Sequence, residues 1–270
     1  MKLNQLIVGL FLAFAVLAGT SCKSEFETVR TSGDVDLIYK TAEKMYKDQE
    51  YEKAQSLYEL IIPAFRGRPE LEEVYYKYAL TYFHLDKFIL ASYYFKNFVN
   101  TFPNSTLKEE VSYMEAFSYY QLSPSYRLDQ TNTEKAIDAL QTFINTYPNS
   151  ERVAKSNKYI DQLRKKLEIK ALEGGKLYYD LKQYQSATQA LTIMLKDYPE
   201  TTNAEEVRYL IAKSAYNLAA NSVYEKRAER YEEAVKYADA YLKKFKGKNA
   251  REIRTIRKDS IDNLKKLTDG

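Results

Sequence analysis

A four-residue stretch closing on alanine returns five times along this 270-residue chain: YEKA at Ala54, FILA at Ala91, TEKA at Ala136, YQSA at Ala187 and YEEA at Ala234. Eleven residues beyond each alanine stands an aromatic side chain: Phe65, Phe102, Tyr147, Tyr198 and Phe245. Pro103, Pro148 and Pro199 follow at once in the three middle copies, where the outer two carry Arg66 and Lys246. Twelve residues before the alanine, three copies hold a second small residue: Ala42, Ala79 and Gly175. Five agreements in one register establish an internal repeat, and a repeat of this length means stacked copies of one supersecondary unit.

The residue classes say which unit. Small residues paired as Ala42 with Ala54, or Ala79 with Ala91, let two antiparallel helices approach closely, while the aromatics wedge between that pair and the next. Proline has no N–H and disfavours helix at the residue before it, so it ends the second helix. The PNS stretches at 103–105 and 148–150, and PETT at 199–202, then offer Asn, Ser or Thr as caps for the next helix. One amphipathic pair cannot bury its apolar face alone, so neighbours must stack. Only 6 Pro and 8 Gly suit such a helical chain, and 26 Tyr with no Trp supply amphipathic rings to pack or expose.

Spacing and residue classes resemble the tetratricopeptide repeat, a helix–turn–helix of about 34 residues. The expected fold is all-α, a right-handed tetratricopeptide-repeat solenoid of about five repeats over 35–246, capped by a basic C-terminal helix over 247–270. The copies differ in detail. The first lacks the proline; the third carries about eight extra residues between its helices, in LSPSYRLDQTN around 122–132, and the fifth about ten, in AANSVYEKRAER. No proline intervenes from Ser150 to Lys182, which predicts a long helix over about 150–182 joining copies three and four, with Gly175 at a close-approach position. In 243–270 ten Lys or Arg stand against four acids, and Ile253, Ile256, Leu264 and Leu267 form one apolar stripe. The basic face of that helix is either solvated or turned to anionic headgroups or an acidic partner.

The N-terminus has another character. Lys2 precedes an uncharged, mostly apolar run over 3–18, and Ala18, Gly19, Thr20 and Ser21 lead to Cys22, the only cysteine. A positive start, a short apolar core and small residues at a cut site read as a secretory signal over 1–21, and the run is marginal against the roughly 20 apolar residues of a bilayer span. A lone cysteine forms no internal disulfide, and with His84 the only histidine there is no Cys/His zinc cage. As first mature residue, Cys22 resembles the acylated cysteine of a bacterial lipoprotein, with 22–34 as its tether; the alternative is an ordinary cleaved signal with an incidental thiol.

Charge and motifs narrow the function further. The 41 basic and 37 acidic residues leave a net +4, too balanced for nucleic-acid binding. No G-x-S-x-G elbow, H-E-x-x-H or P-loop occurs. Tandem acids such as Glu109/Glu110 and Glu205/Glu206 open predicted helices, where negative charge suits the dipole. The chain is therefore read as a protein-binding scaffold and not an enzyme, with no metal and no cofactor beyond a covalent lipid on Cys22.

The signal, the five repeats, FPNS and YPNS closing copies two and three, and the insert SPSYRLDQT followed by KAI and YPNS resemble the BamD family of outer-membrane assembly lipoproteins over essentially the whole chain. The resemblance implies a lipid anchor on the periplasmic face of the cell outer membrane and a scaffold role in β-barrel assembly. The partners it implies are the periplasmic domains of the barrel insertase, other assembly lipoproteins and the C-termini of unfolded barrel precursors. By repeat register a peptide groove would be lined by Tyr39, Glu43, Tyr46 and Lys47 from copy one and Tyr76, Leu80, Phe83 and His84 from copy two. These rings could grip an aromatic-rich extended peptide or simply pack between repeats, and His84 alone reads as structural or surface. The insert residues Arg127, Leu128, Asp129 and Gln130 form a candidate partner loop, with Asp129 alternatively capping the helix that carries Ala136. By the same resemblance, copies four and five would dock the insertase. Two other classes compete: a periplasmic tetratricopeptide adaptor for the cell wall or envelope, and a nutrient-binding lipoprotein, whose marks (a much longer chain and exposed Trp) are missing.

Overall fold

The computed structural model describes residues 25–268, so the signal over 1–21, Cys22 and the start of the tether lie outside the described residues. Among the described residues there are twelve helices and no strand. They are α1 (Glu25–Arg30), α2 (Val35–Lys47), α3 (Tyr51–Ile61), α4 (Leu71–His84), α5 (Phe88–Thr101) and α6 (Lys108–Leu122). Then come α7 (Thr131–Thr146), α8 (Val153–Asp180), α9 (Tyr184–Asp197), α10 (Ala204–Ala220), α11 (Tyr224–Lys244) and α12 (Ala250–Thr268).

The repeat register maps directly onto these helices. Ala54, Ala91, Ala136, Ala187 and Ala234 sit on α3, α5, α7, α9 and α11, each fully buried. Their small partners Ala42 and Ala79 are equally buried on α2 and α4. At Gly175 of α8 an added Cβ would lie 2.6 Å from Leu191 Cγ of α9, so only glycine admits that approach. A fixed spacing of twelve misses the partners in copies three and five. The corresponding small residues by sequence are Ala116 and Ala212, displaced by the length of each insert and both buried.

Three turns share one geometry. Gln49, Asp86 and Lys182 each stand five residues before a repeat alanine and adopt φ of 61°, 56° and 59°. The next amide in each reaches back over the helix end: Glu50 N to Met45 O at 2.8 Å, Lys87 N to Tyr82 O at 2.9 Å, Gln183 N to Tyr178 O at 2.9 Å. This is the left-handed closure that normally selects glycine, and a side chain there costs about 1–2 kcal/mol. The second helices end as proline demands: Phe102 and Tyr198 leave the helical region at φ/ψ of −120°/68° and −126°/67°. Ser105, Ser150 and Thr201 then cap the following turn, their hydroxyls accepting from the N–H groups of Leu107, Arg152 and Asn203 at 2.9, 3.2 and 3.1 Å.

The two inserts resolve differently. In copy three, residues 123–130 form a loop, where Pro124, Ser125 and Asp129 oppose helix. In copy five only 221–223 separate the helices, and the extra residues lengthen α10 and α11 to 17 and 21 residues, against 14 and 14 for α4 and α5. The stretch YEKRAER contains good helix formers and no breaker, so length goes into helix. The proline-free stretch after Ser150 forms the 28-residue α8.

The chain divides into two compact units, one holding residues up to Leu122 with Asn145–Tyr147, the other Ser123–Ile144 and everything from Pro148 onward. The boundary falls inside copy three, before the insert. In the first unit Ala42, Leu57, Tyr58, Val74, Phe95 and Phe98 form one core through α2–α5. The second unit has a core of Leu172, Leu191, Met194, Val207 and Ile211 across α8–α10, and another of Ala212, Ala238, Tyr241, Ile253 and Ile256 across α10–α12. Burying each such large side chain contributes roughly 1.5–3 kcal/mol. Glu252 of α12 ties that helix to α10, accepting from Tyr209 Oη at 2.7 Å and pairing with Lys213 at 3.1 Å.

Candidate protein-binding site

On α2, Tyr39, Glu43 and Tyr46 recur at intervals of four and three, and Tyr76, Leu80 and Phe83 do the same on α4, so each trio shares one helix face. The structure joins the two faces through polar contacts. Glu43 accepts from Tyr58 Oη at 2.7 Å and from Lys77 Nζ at 2.5 Å, and Lys77 also pairs with Glu73 at 2.7 Å. Tyr46 Oη and His84 Nε2 approach to 3.4 Å, and His84 stacks on Tyr51 with centroids 4.3 Å apart.

Most of the candidate groove rings already have partners. Tyr39 packs on Phe65 at 5.3 Å, Tyr76 on Phe98 at 6.2 Å, and Phe83 against Phe88 at 5.2 Å and Phe117 at 5.7 Å. These three, with Leu80 and Tyr46, are half-buried against the core, whereas Lys47 and His84 are exposed. Burial pushes the Tyr46 phenol up to about 12, and burial together with the Glu43 carboxylate raises Tyr58 well above the usual phenol range. Burial holds the His84 imidazole below its ordinary value. Burial works against the Lys77 ammonium, but hydrogen bonds and charge from Glu43 and Glu73 outweigh it and raise that group. The face thus offers ring edges, phenol donors and one paired ammonium, a chemistry suited to gripping side chains.

Beside it lies a tyrosine cluster outside the groove register. Tyr78 and Tyr82 share a 2.9 Å hydroxyl contact, and Tyr82 stacks on Tyr94 at 4.8 Å and 17°. Ile89, Leu90 and Tyr93 on α5 are exposed next to it. The signal was the pair Tyr78/Tyr82 at helical spacing, facing the YYF run at 93–95.

In the second unit the insert is an ordered loop. Lys166 Nζ donates to Ser123 Oγ at 2.6 Å, and Lys170 Nζ donates to the carbonyls of Leu128 at 2.8 Å and Tyr126 at 3.2 Å. Buried Gln130 donates to the carbonyls of Ser125 and Leu128, both at 2.9 Å, and accepts from Thr133 at 2.8 Å. Asp129 Oδ1 accepts from the Thr131 amide at 3.0 Å, and hydrogen bonds from Thr131 hold that carboxyl below its usual range. Of the four insert candidates, then, Asp129 and Gln130 order the loop, while Arg127 and Leu128 are left exposed, Leu128 by 60%.

A column of glutamates does more than the helix-dipole role read for Glu109 and Glu205. Glu72, Glu109, Glu168 and Glu205 hold one register position, seven residues before the small residues Ala79, Ala116, Gly175 and Ala212. In two copies the carboxylate meets the capping hydroxyl at the far end of its own repeat: Ser105 to Glu72 at 2.5 Å and Thr201 to Glu168 at 2.6 Å. Burial opposes ionisation of Glu168, but hydrogen bonds from Thr201, Lys165 and Asn203 overcome it and hold the carboxyl below its ordinary range. In copy five Tyr241 Oη donates to Glu205 at 2.8 Å.

Comparison with known proteins bears on what these faces serve. The family model YfiO, described as outer membrane lipoprotein, matches residues 32–230. An outer membrane protein assembly factor BamD of Rickettsia prowazekii is 23% identical over 214 residues, covering 79% of this chain and 84% of the relative. A second, from Caulobacter vibrioides, is 22% identical over 124 residues, or 46% of this chain and 41% of its own length. Among solved structures, the tetratricopeptide domain of P58(IPK) is similar with a TM-score of 0.41 and 15% identity, over 86% of this chain and 66% of that one.

Proposed function

The chain belongs to the YfiO family of outer membrane lipoproteins, and from that premise we propose that it is a non-catalytic scaffold in outer-membrane protein assembly. The observation that carries the reading is the family match across 32–230, which spans both compact units; the two BamD relatives agree with it. In this reading acylated Cys22 holds the protein on the periplasmic face of the outer membrane. No described helix is long and apolar enough to cross a membrane. The α2/α4 face takes aromatic C-terminal segments of barrel precursors, and the second unit holds the periplasmic domains of the insertase and its companion lipoproteins.

The test follows from which groove residues are free to be changed. Alanine at Tyr46 or Phe83 removes core packing as well as any contact, whereas Lys47 and His84 are exposed. Lys47→Glu, alone and with His84→Ala, which also gives up the Tyr51 stack, is expected to weaken binding of a barrel-terminal peptide about tenfold at unchanged helicity. Equal affinity in wild type and variant moves precursor recognition off this face. Cys22→Ser is expected to release the protein from the membrane fraction, and full retention without acyl mass on the wild type removes the anchor from the reading.

A further inference from the structure

Three cavities follow one cleft in the second unit, with α9 as one wall, α11 as the other and α10 as the floor. The inner one, about 170 Å³, is bordered by Lys196, Arg208 and Tyr237. Tyr237 also borders the next, about 380 Å³, which continues to Gln189, Ile193 and Glu233. Glu233 in turn borders the third, about 280 Å³.

The inner cavity is electrically one-sided. Arg208 Nε is shut off from solvent and meets no hydrogen-bond acceptor. Among the described residues neither Arg208 nor Lys196 forms an ion pair, and the cavity lining includes no acid. A buried guanidinium donor of this kind calls for an acceptor, and two neighbouring cations call for a negative one. Further along, the wall changes sign at Glu233, and the side-chain amide of Gln189 and apolar Ile193 replace the cations. The third cavity mixes Lys226 and Arg230 with Glu229 and Glu233. A peptide matches the first two cavities in turn: a carboxylate at the inner end, main-chain amides along Gln189, an apolar side chain against Ile193.

We infer that the α9/α11 cleft receives an extended segment of a protein partner whose carboxylate seats between Arg208 and Lys196. The inference deepens the scaffold reading and rests on it only in taking the partner to be a protein. The guanidinium supplies a geometry-specific carboxylate clamp and Lys196 a second, mobile charge. Tyr237 borders both the anion pocket and the peptide track, so one ring positions both parts of the ligand.

The experiment is selection of random dodecapeptides with free C-termini on the full-length protein, followed by anisotropy titration of one labelled winner. Selected peptides are expected to share one carboxylate. Its conversion to amide, Arg208→Gln and Lys196→Glu should each weaken binding at least about tenfold, with Arg208→Lys retaining part of the affinity. Lys196 is exposed, so its variant keeps the test valid if Arg208→Gln unfolds. Winners without a carboxylate, equal binding by the variants, or no selection at all overturn the inference. So does binding of inorganic phosphate or phosphatidylglycerol vesicles that competes out the peptide, which would assign the pocket to a headgroup. Co-purification from solubilised membranes separates the two readings. A chain that brings down the barrel insertase but shows no carboxylate-dependent binding refutes the cleft alone. One that selects carboxylate peptides yet meets no assembly partner refutes the scaffold alone.

Discussion

Gly174 and Gly175 are neighbours on α8 with opposite surroundings. A Cβ at Gly174 meets nothing within 4 Å, whereas one at Gly175 collides with Leu191. Gly174→Ala should therefore stabilise the protein by about 0.5–1 kcal/mol, and Gly175→Ala should destabilise it by about 1–3 kcal/mol; paired denaturant melts decide both. Glu168 makes a second residue-scale prediction. The residue is 8% exposed and its carboxyl is held below the ordinary range, so its contribution is present above the unfolded value and lost as pH falls through the folded one. Glu168→Gln should cost about 1–3 kcal/mol near neutrality and flatten the loss of stability below about pH 4.5. A pH series of melts that runs parallel for both proteins would mean that the Glu168 carboxylate and its Thr201 bond add nothing to stability.

At the scale of elements, the turns carry a predictable cost. Lys182 closes α8 at φ 59°, so Lys182→Gly should gain about 1 kcal/mol. The insert loop depends on two lysines one turn apart on α8, Lys166 and Lys170. Replacing both by alanine should raise amide exchange over 123–131 about tenfold while α9 and α10 keep their protection. Helix pairs, their small contact positions and the long α8 were legible because sterics at alanine, glycine and proline act over a few residues. What was not legible had a longer reach. The same surplus of residues became a loop in copy three and helix in copy five, and only Pro124 and its neighbours against YEKRAER told the two apart. Groove rings such as Tyr39 and Phe83 could not be sorted into packing or recognition from register, because Phe65 and Phe117 come from other helices. The glutamates share a register position, but their partners Ser105, Thr201 and Tyr241, like the Lys196–Arg208 pair, depend on contacts between helices that no spacing rule specifies.

For the whole molecule, separate cores in two units predict that damage stays local. Ala91→Leu overfills the fully buried α4/α5 contact and should cost about 1–3 kcal/mol. Hydrogen exchange is expected to rise through α2–α5 and to change little in α10–α12, as for stacked units coupled mainly to their neighbours. Uniform acceleration along the chain would mean one cooperative block instead. The placement of the inserts bears on how such a protein can be altered. Both fall inside a repeat, between its two buried small residues, and leave the spacing from alanine to closing aromatic untouched. Foreign sequence spliced between Arg127 and Leu128 therefore leaves the repeat register alone. It gives up only the loop's own bonds across that point, such as Leu128 N to Ser125 O at 3.0 Å, while loop closure charges only about 0.6 kcal/mol for each doubling of length. The third repeat is a ready-made port for a reporter or an affinity handle.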